Sequence, residues 1–304
     1  MKPLKPSELT IPAVSRISRR GLLTGGLGLV ALAGAAPPAY AVGVEAQSLV
    51  VTSYRLQPAG WPAGRRLTIA VIADLHAGGP NMGLSHIERV VETANRQKAD
   101  VILLLGDYFA THRFVTERVP HMAWAAALAK LQAPLGTWAI FGNHDWWYDI
   151  NGARHALKTV GIPTLDNDAK LLGESGNRFW LAGIGDQIAI KLGHNRYRGV
   201  DDLRGTLARV DTDDPVILMV HEPDIFTEVP ARVALTLAGH THGGQIRAPG
   251  WEAFVPSQYG ARFAYGHIVE GGRHMVVSGG LGTSFIPARF GVPPEIVRIE
   301  LGGK

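Results

Sequence analysis

The sequence predicts an α/β fold for the body of the chain, and two observations support this prediction. Five short apolar runs are each long enough for one strand, and segments with amphipathic helical spacing lie between several of them. Continuous apolar runs of this length are typical of strands buried on both faces, and their alternation with helices is typical of a sheet covered by helices. The 304 residues, 46% hydrophobic and 18% charged, are sufficient for a large core.

The five predicted strands share one feature, which is that each ends abruptly in polar residues. Such strand ends gather at the carboxyl edge of an open α/β sheet, where ligands bind. The predicted strands are Leu67–Ile72, Val101–Leu105, Thr137–Phe141, Val216–Val220 and Val233–Ala238.

Four amphipathic segments are predicted as helices. The last begins with Asp201 and Asp202, and acidic residues suit the amino terminus of a helix. After Gly244 the pattern changes to "RFAYGHIVE", "RHMVVSGG" and "EIVRIEL", which predict a closing series of strands. The helices are expected at about Leu84–Gln97, His121–Leu131, Gly152–Val160 and Asp201–Val210.

The first 41 residues predict an export signal. They carry five basic residues against one acid and so account for the whole net charge of +4. The pair Arg19-Arg20 precedes a glycine-rich apolar run that ends in Ala39-Tyr40-Ala41, and this arrangement resembles a twin-arginine signal peptide. We therefore expect residues 1–41 to engage the twin-arginine export machinery and residues 42–304 to form the mature domain in the periplasm or cell envelope. An ordinary secretory signal or an uncleaved anchor is the alternative.

Composition beyond residue 41 excludes several classes of site. The remaining 25 basic and 25 acidic residues balance, which gives no support for nucleic-acid binding. The chain has no cysteine, which excludes disulfides, a thiolate nucleophile and cysteine-ligated metals. A metal in this chain would therefore be bound by oxygen and imidazole ligands.

The stretch "LAGHTHGGQI", residues 237–246, places two of the 12 histidines in a glycine-bounded turn. Taken singly, this turn and each of the other strand ends could be an ordinary turn, cap or surface position. Together they offer carboxylate, amide and imidazole groups, which suit manganese, iron or zinc. The set is too large for one tetrahedral ion, but a bridging carboxylate would let it hold two ions that clamp a phosphate. The candidates are Asp74, His76, Asp107, Asn143, His144, His221, His240 and His242.

The blocks "DLH", "GD", "GNHD", a lone "H" and "GHTH" occur in this order and resemble the motifs of the calcineurin-like metallophosphoesterases. The resemblance implies a four-layer αββα sandwich of two mixed β-sheets with flanking helices. It implies two divalent metal ions, with manganese expected first and zinc or iron as alternatives. The closing "SGGLGTSFIPARFGVPPEIVRIEL" resembles an exported phosphodiesterase branch, similar to UDP-diacylglucosamine pyrophosphatase-like and cell-wall-associated phosphodiesterases.

Carried over by position, the resemblance also implies a role for each candidate. Asp107 would bridge the two ions, His144 would stabilise or protonate the leaving oxygen, and Asp145 would orient His144. The first ion is expected on Asp74, His76 and His242, and the second on Asn143, His221 and His240.

The implied function is hydrolysis of a phosphodiester or pyrophosphate bond in an envelope or lipid-linked substrate, by attack of a metal-bound hydroxide. The alternatives are a phosphomonoesterase or phosphoprotein phosphatase, and a catalytically silent metal-binding envelope protein. We expect a monomer, with peripheral membrane or cell-wall association as an open alternative. Aromatic and basic residues after two motifs are candidates for the substrate pocket, unless the tryptophans pack against the core. These residues are Tyr108, Phe109, His112, Arg113, Trp146, Trp147 and Tyr148.

Overall fold

Two mixed β-sheets form the centre of the protein. The structure is a computed structural model and describes residues 38–248, 251–252 and 255–302. The strands are β1 (Val50–Leu56), β2 (Leu67–Ile72), β3 (Val101–Leu104), β4 (Thr137–Ala139), β5 (Asp168–Leu172), β6 (Phe179–Gly183), β7 (Ile190–Gly193), β8 (Arg196–Arg198), β9 (Val216–Met219), β10 (Val233–Ala238), β11 (Arg247–Ala248), β12 (Trp251–Glu252), β13 (Gly266–Glu270), β14 (Arg273–Val277) and β15 (Glu295–Leu301).

The first sheet has the strand order β1-β15-β2-β3-β4, and the second has the order β13-β14-β10-β9-β6-β5. Strands β2, β3 and β4 run parallel, whereas β15 is antiparallel to β2. In the second sheet β14, β10, β9 and β6 run parallel, and the edge strands β13 and β5 are antiparallel to their neighbours. The parallel strands of both sheets therefore deliver their carboxyl ends to a common edge.

Alternation of side chains along the strands separates the hydrophobic cores. In β2, Leu67, Ile69 and Val71 belong to the core between the two sheets, whereas Ala70 and Ile72 face the helices that cover the first sheet. A third core covers the outer face of the second sheet. Helix, sheet, sheet and helix therefore form four layers, which confirms the predicted fold.

Among the described residues after Gly43, five α-helices cover the sheets, and four of them lie within a few residues of the predicted helices. The last one begins after Asp202, whose carboxylate caps it by accepting from the Gly205 backbone N–H at 2.7 Å. The helices are α1 (Leu84–Arg96), α2 (His121–Leu128), α3 (Asn143–Tyr148), α4 (Ile150–Thr159) and α5 (Leu203–Ala208).

Several elements were not predicted. Strands β1 and β5 lie at sheet edges and expose alternate residues, so neither produces a continuous apolar run. The β7–β8 ribbon is mostly exposed and lacks such a run for the same reason. Helix α3 was not predicted because its six residues are too few for an amphipathic repeat.

The unit that contains the candidate site begins at Ala41. The predicted signal, residues 1–41, lies outside the described residues except for its last four positions, and so it stays a prediction. Among the described helices, none combines the length and the apolar character needed to cross a bilayer.

Candidate metal centre

The carboxyl ends of five parallel strands bring all eight predicted candidates together. In the first sheet, β2 leads to Asp74 and His76, β3 leads to Asp107, and β4 leads to Asn143 and His144. In the second sheet, β9 leads to His221, and β10 leads to His240 and His242. Ligand atoms of seven of them, all but Asn143, form four overlapping groups together with Glu222, and the atoms of each group lie within 4.8 Å of one another.

The backbone is strained at these strand ends. A positive φ is uncommon for residues other than glycine and costs roughly 1–3 kcal/mol where the surrounding structure enforces it. Five of the ten described non-glycine residues with positive φ are predicted ligands, with φ angles between 43° and 69°. They are Asp74, His76, Asp107, His240 and His242. Such concentration of strain at one place is typical of a functional site.

The first group of ligand atoms is formed by Asp74, His76 and His242. The Nδ1–H of His76 donates to the carbonyl oxygen of Phe109 at 2.9 Å, so the lone pair on Nε2 points into the site. This Nε2 lies 3.0 Å from the Nε2 of His242. Asp74 Oδ1 accepts from the His240 backbone N–H at 2.8 Å, whereas its buried Oδ2 has no hydrogen-bond partner among the described residues.

The second group is formed by Asn143, His221 and His240. Asn143 Oδ1 lies 2.9 Å from His240 Nδ1. The Nδ1–H of His221 donates to the carbonyl oxygen of Leu105 at 2.7 Å, which again directs Nε2 into the site. Each group thus contains one imidazole, His76 or His221, whose Nε2 lone pair points to a common interior.

Asp107 lies between the two groups. Its Oδ2 is 3.2 Å from His221 Nε2, 3.5 Å from His76 Nε2 and 4.0 Å from His144 Nε2. Its Oδ1 accepts from the His144 backbone N–H at 2.8 Å. A carboxylate in this position can reach two ions at once.

Burial shifts the pKa values of the carboxyl and imidazole groups in this cluster. Burial raises the pKa of Asp74 to about 7, with His221 opposing the rise and Asp107 adding to it. Burial alone would raise the pKa of Asp107, but the nearby His221 and His144 hold it well below its usual value. Burial lowers the pKa of His76 to about 4 and that of His144 to about 3.

The residues present therefore fit divalent metal ions. Buried carboxylates cost free energy unless they are paired or coordinate a metal, and His76 and His242, whose pKa values burial lowers, are neutral imidazoles suited to metal ligation. The unpartnered Asp74 Oδ2 is one such orphaned acceptor. Two groups that share Asp107 fit a dinuclear site.

Two glycines allow this close approach. A Cβ on Gly142 would lie 2.4 Å from Asp107 Oδ1 and 2.5 Å from His221 Cε1. A Cβ on Gly239 would lie 2.7 Å from Asp74 Oδ2. Any side chain at either position would displace a ligand, which explains the glycines of "GNHD" and "GHTH".

Residues 67–244 match the family model of the calcineurin-like phosphoesterases. The chain belongs to this family. The matched segment contains every motif from Asp74 to His242, so the site lies wholly within the family domain.

This metallophosphoesterase has relatives of similar length. It is 31% identical over 297 residues to the metallophosphoesterase YkuE of Bacillus subtilis, covering 95% of this chain and 99% of that one. It is 30% identical over 264 residues to a metallophosphoesterase of Aquifex aeolicus, covering 86% of this chain and 95% of that one. It is also 30% identical over 240 residues to the phosphodiesterase YaeI of Escherichia coli, covering 77% and 81%.

The role expected for Asp145 needs correction, because its carboxylate does not orient the His144 ring. Oδ2 accepts from the backbone N–H groups of Asp107 and Gly142, each at 2.9 Å, and Oδ1 accepts from that of Tyr108 at 2.7 Å. Asp145 therefore fixes the backbone that presents Asp107. In this metallophosphoesterase, the His144 ring is held instead by Thr111 at Nδ1 and by Ser284, whose Oγ is 3.3 Å from Nε2.

We expect Asp145→Asn to lower the free energy of unfolding by about 1–3 kcal/mol, because the amide nitrogen would face a backbone N–H and leave a buried donor unpaired. Urea unfolding of the metal-free protein measures this. Asp202→Asn is the control, since Asp202 caps α5 through its bond to Gly205 N and asparagine caps equally well. Equal stability of the two variants would contradict the role given to Asp145.

Sequence reasoning missed Arg289, which is fully buried beneath the first group. Its guanidinium donates to the carbonyl oxygens of Gly282 and Val292, and one nitrogen lies 3.1 Å from His242 Nδ1. It is thus in position to orient His242. A single arginine in "IPARFGV" carries no motif or periodicity that could have revealed this contact.

The predicted pocket residues divide into three sets. Asn143, His144 and His240 open into a cavity of about 540 Å³, which His112, Arg113 and Trp147 also line. Tyr108 and Phe109 are instead buried in the core, and Trp146 packs against it. Tyr148 lines a separate small cavity with His121. One tryptophan therefore lines the cavity and the other belongs to the core.

Proposed function

We propose that this chain is a dinuclear-metal phosphodiesterase that cleaves a phosphodiester or pyrophosphate bond. The observation that carries the proposal is the position of Asp107 Oδ2 between two groups of inward-facing ligands beside an open cavity. Two bound divalent ions, manganese in the first place, would polarise the phosphate and lower the pKa of a water molecule for in-line attack. Asp74, His76 and His242 would hold one ion, Asn143, His221 and His240 the other, and Asp107 both.

His144 supplies the protein's own contribution to the leaving oxygen. The Thr111 hydroxyl contacts His144 Nδ1. When this hydroxyl donates its hydrogen bond to Nδ1, the single proton of the neutral ring lies on Nε2. His144 also lines the cavity, so an Nε2–H is available to a bound ester. In this proposal His144 donates a hydrogen bond to the oxygen that leaves, and Thr111 fixes the tautomer.

The shape of the cleft favours a diester over a monoester. A second cavity, of about 760 Å³, adjoins the first and shares His240, Pro256 and Phe285 with it. Space therefore extends from the candidate centre in two directions, and a diester has two substituents to place. The name of the E. coli relative, phosphodiesterase YaeI, supports the same preference.

The predicted twin-arginine signal supports an envelope substrate. In this proposal the folded chain is exported before it meets its ester in the periplasm or cell envelope, and peripheral contact with the membrane or cell wall would keep enzyme and substrate together. Balanced charge beyond residue 41 supports a substrate other than nucleic acid.

We expect the purified full-length chain, stripped of metal, to regain hydrolysis of bis(p-nitrophenyl) phosphate when manganese, zinc, iron or magnesium is returned in turn. Manganese is expected to give the highest rate, and the diester is expected to be cleaved faster than p-nitrophenyl phosphate. Cleavage of the monoester alone would establish the phosphomonoesterase alternative. Two bound ions without cleavage of either ester would establish the silent metal-binding alternative.

A further inference from the structure

Two buried carboxylates beside the second ligand group have no role in the proposed function. Strands β6 and β9 are parallel neighbours, and their carboxyl ends lead to Asp186 and Glu222. Asp186 follows the apolar run "FWLAGIGD", which ends in Gly-Asp as the run before Asp107 does. A sixth strand thus delivers a polar residue to the same edge, and this pattern could have been recognised in the sequence.

Neither carboxylate is fully satisfied by the protein. Asp186 is 0% exposed and Glu222 is 4% exposed. One oxygen of each accepts a backbone N–H: Ile188 N donates to Asp186 Oδ1 at 2.9 Å, and Gln187 N donates to Glu222 Oε2 at 3.0 Å. Asp186 Oδ2 and Glu222 Oε1 are buried without a hydrogen-bond partner among the described residues. A buried carboxylate in this state either takes up a proton or faces a compensating positive charge.

The two carboxyl groups lie close to each other. Burial, and next the negative charge of Glu222, raise the pKa of Asp186 well above its usual value. Asp186 and Glu222 therefore form one acidic pair, in which Glu222 lies next to His221 in the chain.

Glu222 is also close to the other ligands. Its ligand atom and those of His221 and His240 lie within 4.8 Å of one another. One ion held at about 2.0–2.2 Å from each ligand can span such a group with little movement. Glu222 lines the 760 Å³ cavity together with His240, so this face of the site is open to an ion and to substrate.

The charge of the ligand sets gives a physical reason for another carboxylate. The first group contains Asp74 and shares Asp107. The second group contains two imidazoles and an amide, so its only negative charge is the shared Asp107. A buried divalent ion in the second position would therefore be less well compensated than one in the first.

We propose that Glu222 is a further ligand of the second metal ion, presented through Oε1 and held in place by the backbone N–H of Gln187. This inference rests on the dinuclear centre of the proposed function. It adds a carboxylate to the position where the ligand set has the least negative charge.

Manganese binding to the full-length, metal-free chain tests this inference, with free Mn²⁺ measured by electron paramagnetic resonance. The unsubstituted chain is expected to bind two ions. Glu222→Gln keeps the shape and the bond to Gln187, so it is expected to bind the first ion normally and the second at least roughly tenfold more weakly. Glu222→Asp keeps the charge on a shorter side chain. Its affinity for the second ion is expected to lie between those of the unsubstituted chain and of Glu222→Gln.

Asp224→Asn is the matched control. Asp224 lines the same cavity two residues later, but its oxygens are engaged by Ser257 Oγ at 2.5 Å and Gln258 N at 2.9 Å. Normal binding of two ions by this variant, with equal unfolding temperatures of the metal-free proteins, would support the inference. A Glu222→Gln variant that binds both ions normally would overturn it and leave the proposed function intact. Fewer than two ions on the unsubstituted chain would overturn the dinuclear centre itself.

Discussion

Asp107→Asn is expected to abolish metal-dependent hydrolysis and to reduce the metal content of the protein at both positions. The amide has the shape of the carboxylate and can still accept the His144 backbone N–H. It lacks the negative charge that faces His221 and His76 from between the two groups. Metal polarisation contributes several kcal/mol to catalysis, so kcat/KM should fall by roughly 10³-fold or more.

Metal analysis after desalting and diester hydrolysis at saturating manganese measure this effect. Asp168→Asn is a matched control, because Asp168 lies on the exposed edge strand β5, and among the described residues its side chain contacts only Arg209 at 3.7 Å and the backbone N–H of Ala169. This control should retain both ions and full activity. Near-normal turnover by Asp107→Asn would exclude a shared carboxylate and with it the two-metal interpretation.

The sequence was sufficient to predict the fold class because the central strands are buried on both faces. Strands β2 and β10 begin and end where their apolar runs begin and end. The residues after those runs then had to meet, since parallel strands in two packed sheets deliver their carboxyl ends to one edge. Edge strands such as β5 escaped prediction because one side of each faces solvent and interrupts the apolar run.

Contacts within the site were predicted less well than its composition. Asp145 follows His144 directly, which suggested that one orients the other. The "GNHD" block in fact begins helix α3, and consecutive residues of a helix point in different directions. Asp145 therefore reaches the backbone of the neighbouring strand end, and the contacts to His144 come from Thr111 and Ser284. These two residues are distant in sequence and belong to no motif.

His144→Ala is expected to retain both metal ions and to lower kcat by roughly 10²–10⁴-fold, the range for loss of a positioned group that hydrogen-bonds the reacting oxygen. Retention of metal is expected because neither of the two ligand groups includes His144. Thr111→Val is the companion variant, which removes the hydroxyl at Nδ1 but leaves the His144 ring. Its kcat should fall only about tenfold, which corresponds to about 1.4 kcal/mol in activation free energy. An unchanged rate in His144→Ala would remove this residue from catalysis.

The leaving group separates a hydrogen-bonding role from a structural one. p-Nitrophenolate leaves readily without a hydrogen bond, whereas an alkoxide develops more charge on the leaving oxygen, so the benefit of a hydrogen-bond donor grows with the pKa of the leaving alcohol. The loss caused by His144→Ala should therefore be near the lower limit for bis(p-nitrophenyl) phosphate and near the upper limit for an alkyl diester. A ring that only shapes the cavity would lower both rates equally. Equal losses for the two esters would thus leave His144 a structural role and require another donor for the leaving oxygen.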